Sequence, residues 1–296
     1  MKKIKYLSWF IPFVFFACET TIEIELPQEP SRLVVNCILN QDSIITASVT
    51  RSEMVDESVI EWAVSGATVE LFKNGSLIET LDESSLNSGQ YISTVIPENT
   101  ANYSIKVSKE GYDQVEGSTY FAEPIEIEKV EYTKTKVAYD SLLRFDLTFT
   151  DPANTTDFYT IEVYERFAYY DSWLGDTVYT YSRVYLYDTY DVVFETNYPN
   201  GELGTFFEDE LFNGKTYTVG FAVYWDQFYN ETDVQYELVL GRTDEAHYNY
   251  NRSFTYYLSS YYDPFSEPVQ VYSNIENGYG VLGSKSIDSE IVDVKK

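Results

Sequence analysis

Val69-Glu70-Leu71-Phe72-Lys73-Asn74-Gly75-Ser76-Leu77-Ile78 reads as two short strands joined by a two-residue turn. Asn-Gly supplies the two positive-φ residues of a type I′ turn, whose twist matches that of paired strands. Working outward, alternation of period two, broken by turn residues, marks further strands on both sides. They are Leu33–Leu39, Ile44–Thr50, Thr68–Lys73, Ser76–Glu79, Gln90–Val95, Asn102–Ser108 and Gln114–Tyr120. Short strands at this spacing predict a β-sandwich over residues 32–122.

Ala122-Glu123-Pro124 reads as a linker, and alternation resumes in residues 125–296. The expected strands are Glu126–Tyr132, Leu142–Phe149, Tyr159–Phe167, Val178–Leu186, Lys215–Tyr224 and Val234–Thr243. One helix is expected from about residue 244 to 261, with Thr243 as N-cap and Asp244 and Glu245 in the first turn. His247, Tyr250, Phe254, Tyr257, Leu258 and Tyr261 fall at spacings of three and four, which puts an aromatic face on that helix. Pro264 and Pro268 should end it. Gly280–Gly283 and Ile287–Val294 are expected to return as edge strands. The 29 Tyr and 18 Phe agree with a mainly β chain, since both favour pleated, half-buried surfaces. The expected architecture is an N-terminal sandwich followed by a second sandwich-like domain carrying one Tyr-rich helix.

Val64-Ser65-Gly66-Ala67-Thr68-Val69-Glu70-Leu71, Gly89-Gln90-Tyr91, Tyr103-Ser104-Ile105-Lys106-Val107 and Gly111-Tyr112 resemble the pattern of transthyretin-like or carboxypeptidase-regulatory-like domains, an Ig-like sandwich. The resemblance implies a fold and no catalysis.

The N-terminus begins Met1-Lys2-Lys3-Ile4-Lys5 and stays uncharged from Tyr6 to Phe16. A basic start, a short apolar run and a small residue at the cut make a secretory signal. The run is shorter than the roughly 20 residues a spanning helix needs. Phe15-Phe16-Ala17-Cys18 resembles a bacterial lipobox, with Phe15 in place of the usual Leu and a bulky Phe16. Residues 1–17 are therefore expected to be a lipoprotein signal peptide, with Cys18 the acylated first residue of the mature chain. Buried acyl methylenes, each worth about 0.8 kcal/mol, would hold it on a membrane. Residues 18–31 read as an acidic tether and resemble the export signal of surface-displayed lipoproteins of Bacteroidota.

The whole chain has a formal charge of −28, and residues 18–296 carry 17 basic against 48 acidic residues. That balance excludes nucleic acid as a partner, because phosphate recognition requires basic patches. Cys37, in an apolar strand, reads as a small buried residue.

Asp263-Pro264-Phe265-Ser266-Glu267-Pro268-Val269, Ser273-Asn274-Ile275 and Gly278-Tyr279-Gly280-Val281 resemble the C-terminal signature of domain-of-unknown-function family 4249, lipoproteins of Bacteroidota. The resemblance implies an envelope lipoprotein, often encoded beside a TonB-dependent outer-membrane transporter. Within the signature, Asn274, Glu276, Gly278 and Gly280 read as a structural turn whose glycines permit close backbone approach.

Few residues suggest chemistry. His247 is the single histidine and is read as a packed core residue, which leaves no zinc site or Ser-His-Asp triad. No phosphate loop, EF-hand spacing, metal site or cofactor motif is present. Asp226, Glu231 and Asp233 beside Trp225 and Phe228 are the candidates for a sugar cleft with paired carboxylates.

One pattern stands out. Alternation over Thr177–Thr189 places Tyr179, Tyr181, Arg183, Tyr185 and Tyr187 on one strand face, with Val178, Val184 and Leu186 on the other. Tyr and Arg are enriched in binding hot spots, and Tyr rings stack on sugars. The row is either a second face buried under the helix or an interaction surface. The expected function is that of a non-enzymatic outer-membrane lipoprotein, lipid-anchored and displayed at the cell surface or on the periplasmic face. It would act as an accessory or binding component of a TonB-dependent transporter, with a glycan or peptide ligand. The alternatives are a carboxylate-dependent glycan hydrolase and a structural or adhesive envelope protein.

Overall fold

The computed structural model describes residues 30–53, 62–137, 140–188, 190–194, 205–225, 234–261, 265–267 and 269–295. Cys18 and its lipobox, most of the acidic tether, Asp226, Phe228, Glu231, Asp233, Pro264 and Pro268 lie outside the described residues. The fold is mainly β, in several sheets, with one Tyr-rich helix near the C-terminus.

The first half contributes β1 (Leu33–Asn40), β2 (Thr46–Arg51), β3 (Thr68–Lys73), β4 (Ser76–Thr80), β5 (Asp82–Glu83), β6 (Gln90–Ile92), β7 (Ala101–Ser108) and β8 (Val115–Phe121). The second contributes β9 (Ile127–Val137), β10 (Asp140–Thr150), β11 (Phe158–Asp171), β12 (Asp176–Val184), β13 (Leu186–Asp188), β14 (Thr205–Glu208), β15 (Thr216–Tyr224) and β16 (Val234–Thr243). Helix α1 (Glu245–Tyr261) and β17 (Tyr279–Val294) complete the chain. The Asn74-Gly75 turn joins β3 to β4 with φ of 50° and 79°, as a type I′ turn requires.

A nine-stranded sheet runs β12-β11-β16-β17-β1-β2-β6-β5, with β14 also on β11. The four-stranded sheet β4-β3-β7-β8 encloses the first core with the β1-β2-β6 part, around Val35, Val49, Leu71, Tyr91, Ile105 and Phe121. The four-stranded sheet β13-β15-β10-β9 encloses the second with the β11-β16 part, around Phe145, Phe149, Tyr159, Phe221 and Tyr236. Cys37 is buried in the first core, and burial pushes its thiol up to about 12, so it stays protonated.

The C-terminal tail corrects the expectation of edge strands. Gly280–Gly283 and Ile287–Val294 belong to one continuous strand at the centre of the long sheet. Its first part pairs in parallel with β1 from Val34↔Tyr279 to Asn40↔Lys285. Its second part pairs antiparallel with β16 from Thr243↔Lys285 to Val234↔Val294. Lys285 is the handover between the two partners. Sequence alternation hid this strand because Ser284 and Ser286 are buried along with Val281 and Leu282.

The helix start also differs from expectation. Thr243 is the last residue of β16, and Asp244 is the N-cap. Its Oδ1 accepts the His247 and Ser284 backbone N–H groups, each at 3.0 Å, and its Oδ2 accepts the Thr119 hydroxyl at 2.6 Å. One carboxylate thus ties α1 to β17 and β8. The packed face of the helix is Ala246, Tyr248, Asn251 and Thr255, and of the expected aromatic face His247 also lies against β17. Tyr248 packs there against Phe158 and Phe206, while Tyr250, Phe254 and Tyr257 stack along one flank at 5.9 and 6.2 Å.

Gly280 is where β17 meets β1. It has φ of 105°, and a Cβ there would lie 2.1 Å from the Val35 carbonyl oxygen. Gly280→Ala is expected to cost more than about 3 kcal/mol in urea unfolding, because backbone must separate from backbone. Gly75→Ala meets open space and should cost only the left-handed strain, about 1–2 kcal/mol.

Candidate functional site

The tyrosine row lies in an extended hairpin. β11 pairs with β16 from Phe158 to Arg166, and with β12 from Val163 to Asp171. Phe167–Asp171 and Asp176–Thr180 therefore project past β16 as a two-stranded ribbon. Asp171 shapes its turn: Oδ1 accepts the N–H of Trp173 at 2.8 Å and of Leu174 at 3.2 Å, while its carbonyl accepts the Gly175 N–H at 2.8 Å. The turn holds Trp173 outward at 99 % exposure, with Leu174 at 72 % and Tyr170 at 68 %. Apolar side chains at such exposure mark binding surfaces when they cluster.

Even-numbered residues of β11 share a face with α1, since the Phe158 ring packs tilted against Tyr248 with centroids 4.7 Å apart. Register places Arg166 opposite Tyr181 and Ala168 opposite Tyr179 on that same face. The face continues beyond the helix, and Tyr179 and Tyr181 are exposed. Arg166, a residue the sequence reading passed over, organises them. Its guanidinium lies 3.5 Å from the Tyr179 ring centroid, its Nε–H donates to the Tyr181 oxygen at 3.2 Å, and Nη1 donates to Gln235 at 2.5 Å.

The row itself is not one strand face, contrary to expectation. The chain leaves the long sheet at Tyr185 and enters the opposing sheet as β13. Tyr187 there packs edge-on against Tyr224 at 4.1 Å and donates to Asp140 at 3.2 Å. Arg183 approaches Glu162 at 3.9 Å, and Glu162 also takes Lys285 at 3.2 Å. The crossing follows from Val184 and Leu186, which face the second core.

Asn274, Glu276, Gly278 and Gly280 meet around β8 and β1. The Asn274 side chain donates to Ser118 and Leu282 carbonyls at 3.1 and 2.8 Å and accepts the Leu282 N–H at 2.9 Å. Glu276 N–H donates to the Glu116 carbonyl at 2.8 Å. A Cβ on Gly278 would lie 2.5 Å from the Leu33 carbonyl oxygen. These contacts lace the segment onto the first core.

With this geometry in place, one comparison is decisive: the family model described as "Domain of unknown function (DUF4249)" matches residues 19–291. The chain belongs to the DUF4249 family. No curated protein matches it. Among the described residues of this DUF4249 chain, no helix is long and apolar enough to cross a membrane.

A feature of this DUF4249 chain that its sequence did not reveal is a knot of three buried aspartates, Asp151, Asp157 and Asp209, with carboxylate oxygens within 4.8 Å of one another. Arg242 neutralises one of them, with Nε 2.7 Å and Nη2 2.5 Å from Asp157 Oδ1. The Tyr159 hydroxyl and Gly214 N–H donate to Asp151 at 2.5 and 2.8 Å, and Asn213 donates to Asp209 at 2.8 Å. Burial pushes the Asp151 and Asp209 carboxyls up from their ordinary values. All three aspartates are enclosed, so the knot braces the loops entering β11 and β15 and offers no open face to a substrate. His247 is likewise enclosed, with Nδ1 3.3 Å from the Ser284 carbonyl oxygen and its ring edge-on to Phe206. Burial, then Lys285, lowers its pKa to about 4.

Arg242→Met leaves three carboxylates without their cation and should cost about 3–5 kcal/mol at pH 7.5. The loss should shrink at pH 4.5, because Asp151 and Asp209, whose carboxyls burial pushes up, take up protons more readily as pH falls. Urea unfolding at both pH values reads this, and an equal loss at both would show that the pairing is not what Arg242 contributes. His247 adds a separate acid sensitivity. Its folded pKa lies below the unfolded 6.5, so its contribution is complete above pH 6.5 and is lost as pH falls through about 4. The stability difference between wild type and His247→Gln should decline across that window, and a flat difference would refute the assignment.

Proposed function

We propose that this DUF4249 chain is a lipid-anchored outer-membrane lipoprotein that works by binding, as an accessory component of a TonB-dependent transporter in nutrient uptake. The observation that carries the reading is the aromatic hairpin, which offers Tyr170, Trp173, Leu174, Tyr179 and Tyr181 to solvent. Tyr and Trp bring large contact area at low entropic cost, and they dominate the energetics of protein interfaces. Such rings also stack on the apolar faces of sugars, so the same surface suits a glycan ligand presented to the transporter. The lipobox-like Phe15-Phe16-Ala17-Cys18 supports the anchor, and the acidic residues that follow it support display at the cell surface.

Affinity purification of the full-length protein from detergent-solubilised native membranes, followed by mass spectrometry, tests the reading. A stoichiometric β-barrel transporter should co-purify. Tyr170→Ser with Trp173→Ser should cut its recovery at least tenfold, while Cys18→Ser should release the protein from the membrane fraction. Recovery of wild-type protein alone would overturn the transporter reading.

A further inference from the structure

Exposed strand edges invite pairing with other chains, and proteins guard them with charge, cover or shortness. Among the described residues the edges of this fold follow that rule, with one departure. Strand β9 carries Glu128, Lys129, Glu131, Lys134 and Lys136 along its length. Strand β8 is covered by the signature segment, through Glu276 on Glu116 and Asn274 on Ser118. Strands β4, β5, β13 and β14 span five, two, three and four residues. Strand β12 spans nine, and its stretch Thr177-Val178-Tyr179-Thr180-Tyr181-Ser182 contains no charge, proline or glycine. It ends the long sheet, and among the described residues no strand pairs with its outer edge.

We propose that the outer edge of β12 receives an extended segment of a partner protein, added as a further strand, in which basic residues alternate with apolar ones. This rests on the hairpin being the contact surface and names the chemistry of its partner. Strand addition supplies affinity through main-chain hydrogen bonds and specificity through alternate side chains. Side chains of the added strand on one face meet Tyr179 and Tyr181, where Arg166 already shows how a guanidinium seats, 3.5 Å from the Tyr179 ring centroid. Those on the other face meet Val178 and Thr180, beside Phe167 and Tyr169 of β11. Charge favours a basic strand over an acidic one. The chain carries −28 overall, Asp171 and Asp176 flank the hairpin turn, and Glu162 lies beside Arg183 at its base.

The test uses the full-length lipoprotein in detergent at 150 mM salt with a fluorescent peptide of four Arg-Val repeats. Two further peptides, N-methylated at the odd or at the even positions, keep the charge but remove alternate backbone donors. Saturable binding is expected, weakened at least tenfold by one of the two methylation patterns and by Thr180→Lys with Ser182→Lys. Amide exchange over Thr177–Ser182 should slow when the unmethylated peptide binds. Absence of binding, equal binding of all three peptides, or exchange unchanged by the peptide would overturn strand addition. Slowed exchange without peptide that grows with protein concentration would assign the edge to a second copy, and would overturn it too. None of these outcomes depends on a transporter, so failure here is distinct from failure of the membrane purification.

Discussion

Everything in this fold depends on how β17 is held between β1 and β16. Parallel pairing with β1 closes a chain of nearly its full length, and few local contacts help it form. The strand can seat only if backbone meets backbone at Gly280, where the Val35 carbonyl occupies the space a side chain would need. Beyond Lys285 the same strand passes to β16. The two cores, each closed by its own four-stranded sheet, are therefore joined by continuous hydrogen bonding as well as by the Ala122-Glu123-Pro124 connection. The Asn274 and Asp244 side chains reinforce the junction, because each bonds backbone N–H groups of β17 and reaches across to β8.

What could be read in advance was what local physics controls. The Asn74-Gly75 turn and its flanking strands needed only turn chemistry and alternation, and β3 occupies the expected residues Thr68–Lys73. Helix α1 was visible as a spacing of apolar residues ahead of prolines, although its cap is Asp244 and not the expected Thr243. Its orientation was not visible, because the buried side mixes Ala246, Asn251 and Thr255 with the single ring of Tyr248 and carries no apolar stripe. Strand β17 was misread for a related reason. A central strand buried on both faces need not alternate, and glycine and serine at its heart look like a loop.

The site divides in the same way. The row Tyr179, Tyr181, Arg183, Tyr185 and Tyr187 was legible as a pattern, yet its division between two sheets turns on a single crossing at Tyr185 that no periodicity announces. Arg166 sits on the facing strand, and only register brings it to Tyr179 and Tyr181. The knot of Asp151, Asp157 and Asp209 was invisible for a statistical reason. In a chain with 48 acidic residues, three that become buried carry no mark in the sequence.

The large negative charge and the uncharged Thr177–Ser182 stretch of β12 are linked physically. An unguarded strand of this length would ordinarily promote self-association. Two copies of a chain at −28 repel as they approach, which suppresses edge-to-edge pairing between them without any charge on that stretch itself. A small basic segment experiences the opposite sign of the same field. Over the last Debye length, about 8 Å at physiological salt, attraction draws it toward the sheet that a second copy is kept away from. Net charge placed elsewhere on the molecule can thus replace local guard residues and leave the edge open to one class of partner.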